Sequence, residues 1–278
     1  MYVSRYSTEG SAPRLGLVDG DGTSVTAIDT DATSLDDALR AGESAVSLAD
    51  AATGEELALE SVTLHSPIDR PGNLIGVGLN YAGHAEEGGF DVPDEPIFFA
   101  KSPSSITGPN TDVVRHDGVT NLHWEGEFAF VVGKTARRVD ATDALDAVFG
   151  YLAANDVTAR DMQFADLDAA NPWFRSKSMD TFTPLGPWVS PAEDGAVDPA
   201  NADIETRVNG EVVQSSNTSD LIFHVEDVVE YISHHVTLHP GDVVLTGTPA
   251  GVGEMAPGDE VAVEIGGVGT LSNTVVSP

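Results

Sequence analysis

Cysteine is absent from this chain, so disulfides, thiolate metal sites and cysteine nucleophiles are all excluded. Basic residues are scarce as well: 13 Lys and Arg stand against 45 Asp and Glu, a formal net charge of −32. Such a surface repels nucleic acid and anionic membranes, so neither is expected as a partner. No apolar run approaches the roughly 18 residues of a membrane-spanning helix, and the opening MYVSRYSTEG lacks the apolar segment of a secretory signal. The expected location is therefore cytoplasmic. Self-repulsion at this charge is relieved by salt, which points to a halophilic setting. Fixed-period repeats and low-complexity segments are also missing.

What remains is a chain of 278 residues, 41% of them hydrophobic, enough for a substantial core. The acidic bias makes clusters such as HAEE, VEDVVE and PAED uninformative, because solvated surface explains them. The few lysines gain weight for the same reason. Only Lys101, Lys134 and Lys177 occur. Lys101 in PIFFAKSP and Lys177 in WFRSKSMDTF lie beside apolar residues, whereas Lys134 reads as a charge at a strand end.

The pattern along the chain is α+β with strand predominating. Residues 1–66 carry short strand-like pieces (RLGLV, SVTAI, ESVTLH) and one helical stretch, SLDDALRAG, which suggests a small β-rich N-terminal domain. The turn-rich SPIDRPGN then opens a larger domain over 67–278. There NLIGVGLNY, EPIFFAK and EFAFVVGK read as strands, and YAGHAEEGG as a short helix ended by glycines. ATDALDAVFG has helical composition up to Gly150. Asn209-Gly210 supplies the two positive-φ residues of a tight hairpin turn. Val225, Val228, Val229, Ile232 and Val236 recur at helical spacing and form a buried face.

The stretch HWEGEF, residues 123–128, raises the chemical question. On a strand, Glu125 and Glu127 project to the same face with Cα atoms about 6.5–7 Å apart. Beside Trp124 and Phe128, burial would penalise both charges and each would repel the other. A bound divalent cation resolves this, and all-oxygen ligation suits Mg²⁺, Mn²⁺ or Ca²⁺ rather than zinc. For the pair alone, exposed glutamates at a strand start are the simpler explanation. Asp156, at the end of the apolar GYLAAND, is a third candidate. Spacing does not distinguish a ligand there from an N-cap, at Asn155 or Asp156, of a helix VTARDMQFADL.

Seven separated blocks carry a resemblance: IGVGLNYAGHAEE, PIFFAKSPSSITGP, EGEFAFVVGK, GYLAANDVTARDMQ, SKSMDTFTPLGPWV, VNGEVVQSSNTSDLIFHVEDVVEYIS and LHPGDVVLTGTPAGVG. In this order they resemble the fumarylacetoacetate hydrolase superfamily over about residues 67–278. The likeness is to short-chain members, among them acylpyruvases, oxaloacetate decarboxylases and hydroxyheptadienedioate isomerases. It implies the β-rich fold of that family, a mixed β-roll with few helices, and a homodimer. It also implies that Glu125, Glu127 and Asp156 hold Mg²⁺ or Mn²⁺, with Ca²⁺ able to replace them in crystals. His84 and Glu87 match a histidine–glutamate dyad on a lid, and Lys177 matches a lysine that meets the developing oxyanion. Lys101, Gly247 and Thr248 match residues near the substrate. Arg160 and Arg175 are candidates for a distal substrate carboxylate. Asn80 and Tyr81 in NYAGH have an open structural alternative.

The expected chemistry follows from these parts. A 2-oxo acid chelates the metal through its carboxylate and keto oxygens, which stabilises an enolate at the neighbouring carbon. With water activated by His84, the outcome is C–C hydrolysis of an acylpyruvate-like 2-oxo acid or diacid, as in aromatic catabolism. Without the attacking water, the same enolate supports isomerisation, tautomerisation or decarboxylation. A non-catalytic, metal-stabilised assembly protein is the rival from another class; it would have no need of the dyad. TGTPAGVG lacks the G-K-[ST] ending of a phosphate loop, so nucleotide binding is not expected.

Overall fold

A computed structural model describes residues 1–278. The central strand, Gly126–Val132, is buried at every position. It pairs antiparallel with Val148–Asn155 on one side and with Val243–Leu245 on the other. Its alternate residues feed two different cores. Phe128, Phe130 and Val132 pack with Ile204, Val263, Ile265 and Leu271 of a second sheet and with the apolar face of the helix Val225–His235. Ala129 and Val131 face the other way, toward Leu35, Leu39 and Leu48 of two short helices. A strand covered on both faces reads as a continuous apolar run, which is why EFAFVV shows no alternation.

The long sheet runs from Ala52–Ala58 through Ser24–Ile28, Arg14–Val18, Tyr2–Ser7, Thr183–Pro191, Val148–Asn155, Gly126–Val132, Val243–Leu245 and Leu74–Gly78 to Ile97–Ala100. The second sheet has five strands, Glu211–Asn217, Asp203–Val208, Glu260–Ile265, Gly269–Val276 and Asp112–Val114. A third, of three short strands, contains Leu122–Trp124. The β-rich α+β architecture expected from the sequence is thus present, with mixed sheets and few helices.

The N-terminal residues 1–66, expected as a small domain, share their sheet and their cores with the rest. Val3 pairs with Val189, and Val3, Leu15 and Ile28 pack with Ala129, Leu152 and Val189. The segment contributes five short strands and two six-residue helices, and its sheet continues into the strand Thr183–Pro191.

The expected helix up to Gly150 also differs. It stops at Ala144, one 3₁₀ turn covers Leu145–Ala147, and a strand begins at Val148. Burial of that segment between two strands overrides its helical composition. Gly150 belongs to the strand pairing: a Cβ there would strike the Ser190 carbonyl oxygen. Elsewhere the turn chemistry acts as read. Asn209 and Gly210 adopt φ of 51° and 83° in the hairpin, and Gly89, at φ 72°, ends the helix Ala82–Gly88.

Candidate active site

Strand register assembles the carboxylates. Gly126 lies opposite Asn155 and Glu127 opposite Ala154, so the residues flanking that ladder end, Glu125 and Asp156, become neighbours. The Asp156 N–H donates to the Glu125 carbonyl at 2.8 Å, and the Glu125 N–H to Asn155 Oδ1 at 3.0 Å. Ligand-type oxygens of Glu125, Glu127 and Asp156 all lie within 4.8 Å of one another. All three residues are buried. The N-cap alternative does not apply, because the following helix begins at Arg160 with Ala159 as its cap.

Buried carboxylates need compensating charge, and these three obtain it unequally. Lys177 Nζ donates to Glu125 Oε2 at 2.7 Å and to Asp156 Oδ2 at 2.6 Å. Lys101 Nζ pairs with Asp156 Oδ1 and donates to the Phe182 carbonyl at 3.2 Å. Arg160 Nη2 pairs with Glu125 Oε1. Two carboxylates therefore have cationic partners. Glu127 has only the Gly247 N–H, 2.7 Å from Oε2. Burial, then the charges of Asp156 and Glu125, drive the Glu127 pKa well above the carboxylate range. At Glu125 burial acts the same way, but Lys177 and Arg160 outweigh it and hold the carboxyl far below that range. Burial also opposes charge on both lysines. Lys101 is lowered, while Lys177, facing Asp156 and Glu125, is raised.

These residues fit a hard divalent cation. The donors are all carboxylate oxygens, they converge, and the one lacking a counter-charge faces the same cavity as the others. The cavity has a volume of about 280 Å³. Its polar lining includes Glu125, Glu127, Asp156, Lys177 and Thr248, and its apolar lining Phe99, Trp173, Phe164 and Leu167.

The remaining sequence candidates fall into two groups. His84, Glu87, Arg160 and Thr248 line the cavity. His84 and Glu87 share a helical face, with Nδ1 and Oε2 3.7 Å apart, beyond hydrogen-bond length. Glu87 Oε2 instead accepts the Gly251 N–H at 3.0 Å, and His84 Nδ1 is buried without a partner. Burial lowers the His84 pKa, so the ring is neutral at physiological pH. Lys101 and Arg175, by contrast, do not reach the cavity. Lys101 is fully buried at its side chain, pairs with Asp156 and is not part of the cavity lining, so it braces a candidate ligand. Arg175 is exposed and paired with Asp166 at 2.8 Å. Gly247, at φ 103°, turns its N–H to Glu127, so the carboxylate it cradles belongs to the protein. Asn80 is structural: its amide bonds Phe223 and the Thr246 carbonyl, tying two loops together.

Sequence reasoning missed several residues. His123 accepts from Arg160 Nε through Nδ1 at 3.3 Å, and its pKa is pushed down to about 4 by burial and then by Arg160. Gln163 accepts from Arg160 Nη1, and Asn121 lines the same wall. The three-residue spacing of Arg160 and Gln163 would have placed them on one helix face. Gln214, four residues past the hairpin turn, carried no local signal.

The profile of the fumarylacetoacetate (FAA) hydrolase C-terminal family matches residues 73–276. The mitochondrial oxaloacetate tautomerase of Rattus norvegicus is 41% identical over 278 residues, covering 95% of this chain and 88% of that protein. A crystal structure of a 2-hydroxyhepta-2,4-diene-1,7-dioate isomerase from Mycobacterium marinum is 34% identical. It superposes with a TM-score of 0.80, covering 100% of this chain and 98% of the other. A fumarylacetoacetate hydrolase from Exiguobacterium antarcticum, 36% identical, gives a TM-score of 0.87 with both chains fully covered. Sequence blocks, sheet order and site geometry thus agree on one assignment: the chain belongs to the fumarylacetoacetate hydrolase family.

Proposed function

We propose that this protein is a divalent-metal-dependent tautomerase or isomerase of 2-oxo acids, with oxaloacetate the first substrate to test. The observation that carries it is the convergence of Glu125, Glu127 and Asp156 on one cavity that also holds a neutral histidine and Lys177. Hydrolysis of acylpyruvates, the first expectation from sequence, has less support. The relatives named above are a tautomerase, an isomerase and one hydrolase, and His84 and Glu87, the pair that would activate water, stand 3.7 Å apart, beyond hydrogen-bond length.

A divalent ion held by the three carboxylates would supply Lewis-acid polarisation of the substrate's carboxylate and keto oxygens. The chain's own residues account for the proton. His84, kept neutral by burial, takes a proton from C3 of the 2-oxo acid. The C3–H electrons form the C2=C3 bond, and the carbonyl π electrons move onto the C2 oxygen. Return of the proton from the His84 imidazolium to that oxygen completes the enol and restores the neutral ring, so no water is consumed and no bond between carbons breaks. Lys177 spends two N–H bonds on Glu125 and Asp156, and a lysine ammonium has a third donor available for developing charge.

The test is the rate of oxaloacetate keto–enol interconversion with Mg²⁺ or Mn²⁺ at high salt, with pyruvate and acylpyruvate cleavage products quantified in parallel. Metal-dependent acceleration of interconversion without stoichiometric pyruvate supports the proposal. Cleavage of acetylpyruvate or fumarylpyruvate outpacing interconversion would return the reading to hydrolysis.

A further inference from the structure

We propose that Gln214 is a positioning residue that couples the Glu125 and Glu127 carboxylates to the docked state of the helix Ala82–Gly88. The proposal rests on reading Glu125 and Glu127 as ligands of a divalent ion.

Gln214 lies in the hairpin strand Glu211–Asn217 of the second sheet, and 2% of its surface is exposed. Its Oε1 accepts the Gly126 N–H at 3.0 Å. Because that contact needs an acceptor, the amide orientation is determined. Its Nε2 then donates to Thr248 Oγ1 and to the Pro249 carbonyl, each at 2.8 Å. Thr248 Oγ1 in turn donates to the Gly126 carbonyl at 2.9 Å. A closed ring of hydrogen bonds therefore grips both polar groups of the residue between the two glutamates.

Two glycines show how close this approach is. A Cβ on Gly126 would collide with Thr206 Oγ1 and press on Gln214 Oε1 at 3.3 Å. A Cβ on Gly251 would collide with the Val213 carbonyl oxygen and meet Gln214 Cγ at 3.3 Å. Gly251 is the residue whose N–H holds Glu87. One side chain thus supports the peptide between the glutamates on one side. On the other it supports the loop 247–251, which holds the helix bearing His84. Gly247, in the same loop, orients Glu127 directly. A shift of the loop that releases Glu87 also disturbs the bite between Glu125 and Glu127, so metal binding and helix docking are linked in both directions.

The experiment uses the full chain, with Mn²⁺ as the probe. Gln214→Met conserves length and volume but removes all three hydrogen bonds. It is expected to weaken Mn²⁺ binding by calorimetry about tenfold and to speed amide exchange over residues 82–88 severalfold, with the helix Leu35–Arg40 unaffected. For oxaloacetate, kcat should fall while KM stays within about twofold. An arm that needs no variant is the wild-type protein with and without Mn²⁺, where saturating ion should slow exchange over 82–88 and 247–251. Mn²⁺ binding that leaves wild-type exchange in both segments unchanged overturns the coupling, as does a folded Gln214→Met protein with wild-type Mn²⁺ affinity and exchange. Those results leave the metal reading standing. No Mn²⁺ uptake by the wild-type protein removes both.

Discussion

Glu127→Gln separates the ligand role of this residue from any structural one, because the two predict opposite effects on stability. Gln keeps an oxygen for the Gly247 N–H, so the one hydrogen bond to Glu127 survives. What disappears is a buried negative charge beside two others whose oxygens lie within 4.8 Å. At an effective dielectric of about 20, each like pair at that separation repels by roughly 3–4 kcal/mol. Lys177, Lys101 and Arg160 cancel most of the field of Glu125 and Asp156, leaving a net cost of about 1–2 kcal/mol. The metal-free variant should therefore melt about 2–6 °C higher than metal-free wild type near neutral pH. The sign follows from the Glu127 pKa being raised in the folded state. Its stabilising effect is complete below the ordinary carboxylate range and is lost as pH climbs toward the raised value. The gain in the variant should accordingly shrink as pH falls. Mn²⁺, which stabilises wild type by mass action, should stabilise Glu127→Gln little or not at all. The assay is calorimetric melting of both proteins with chelator and with Mn²⁺ at two pH values. A metal-free variant that melts lower than wild type, or gains as much from Mn²⁺, would refute the reasoning.

Four further outcomes are expected. His84→Ala should slow oxaloacetate interconversion about 10²-fold with Mn²⁺ affinity unchanged by calorimetry. In wild type, kcat/KM should hold below the ordinary histidine pKa and then fall as His84 protonates, because burial lowers its pKa. Lys101→Met strips a fully buried partner from Asp156, and denaturant unfolding should show a loss of about 3–5 kcal/mol. With a net charge of −32, the melting temperature should rise from about 0.1 M to about 2 M KCl as the Debye length shrinks from ~10 Å to below ~3 Å. A flat salt profile would reject the halophilic reading.

Much of the candidate site was legible because its chemistry is unusual for its surroundings. Two glutamates entering an apolar strand stand out wherever the strand lies, and rare lysines beside apolar residues stand out in a chain of this charge. The helix Val225–His235 and the Asn209–Gly210 hairpin were readable because periodicity and positive-φ turns are local properties. Other features depend on partners far away in sequence. Gln214 matters only because the second sheet brings it against Gly126, 88 residues earlier. Lys101, which the resemblance puts near the substrate, is packed against Asp156 outside the cavity lining. The segment from Val148 became a strand because neighbours on both sides took up its backbone hydrogen bonds.

By itself, then, the sequence determined the class of fold, the family resemblance and the oxygen-rich character of the candidate centre, since each depends on residue type and short-range spacing. Tertiary structure alone decided which cation neutralises which carboxylate and left Glu127 without a counter-charge. It also drew Glu87 to Gly251 rather than to His84. Those outcomes rest on distances of a few ångströms between segments far apart in the chain, which no local pattern encodes.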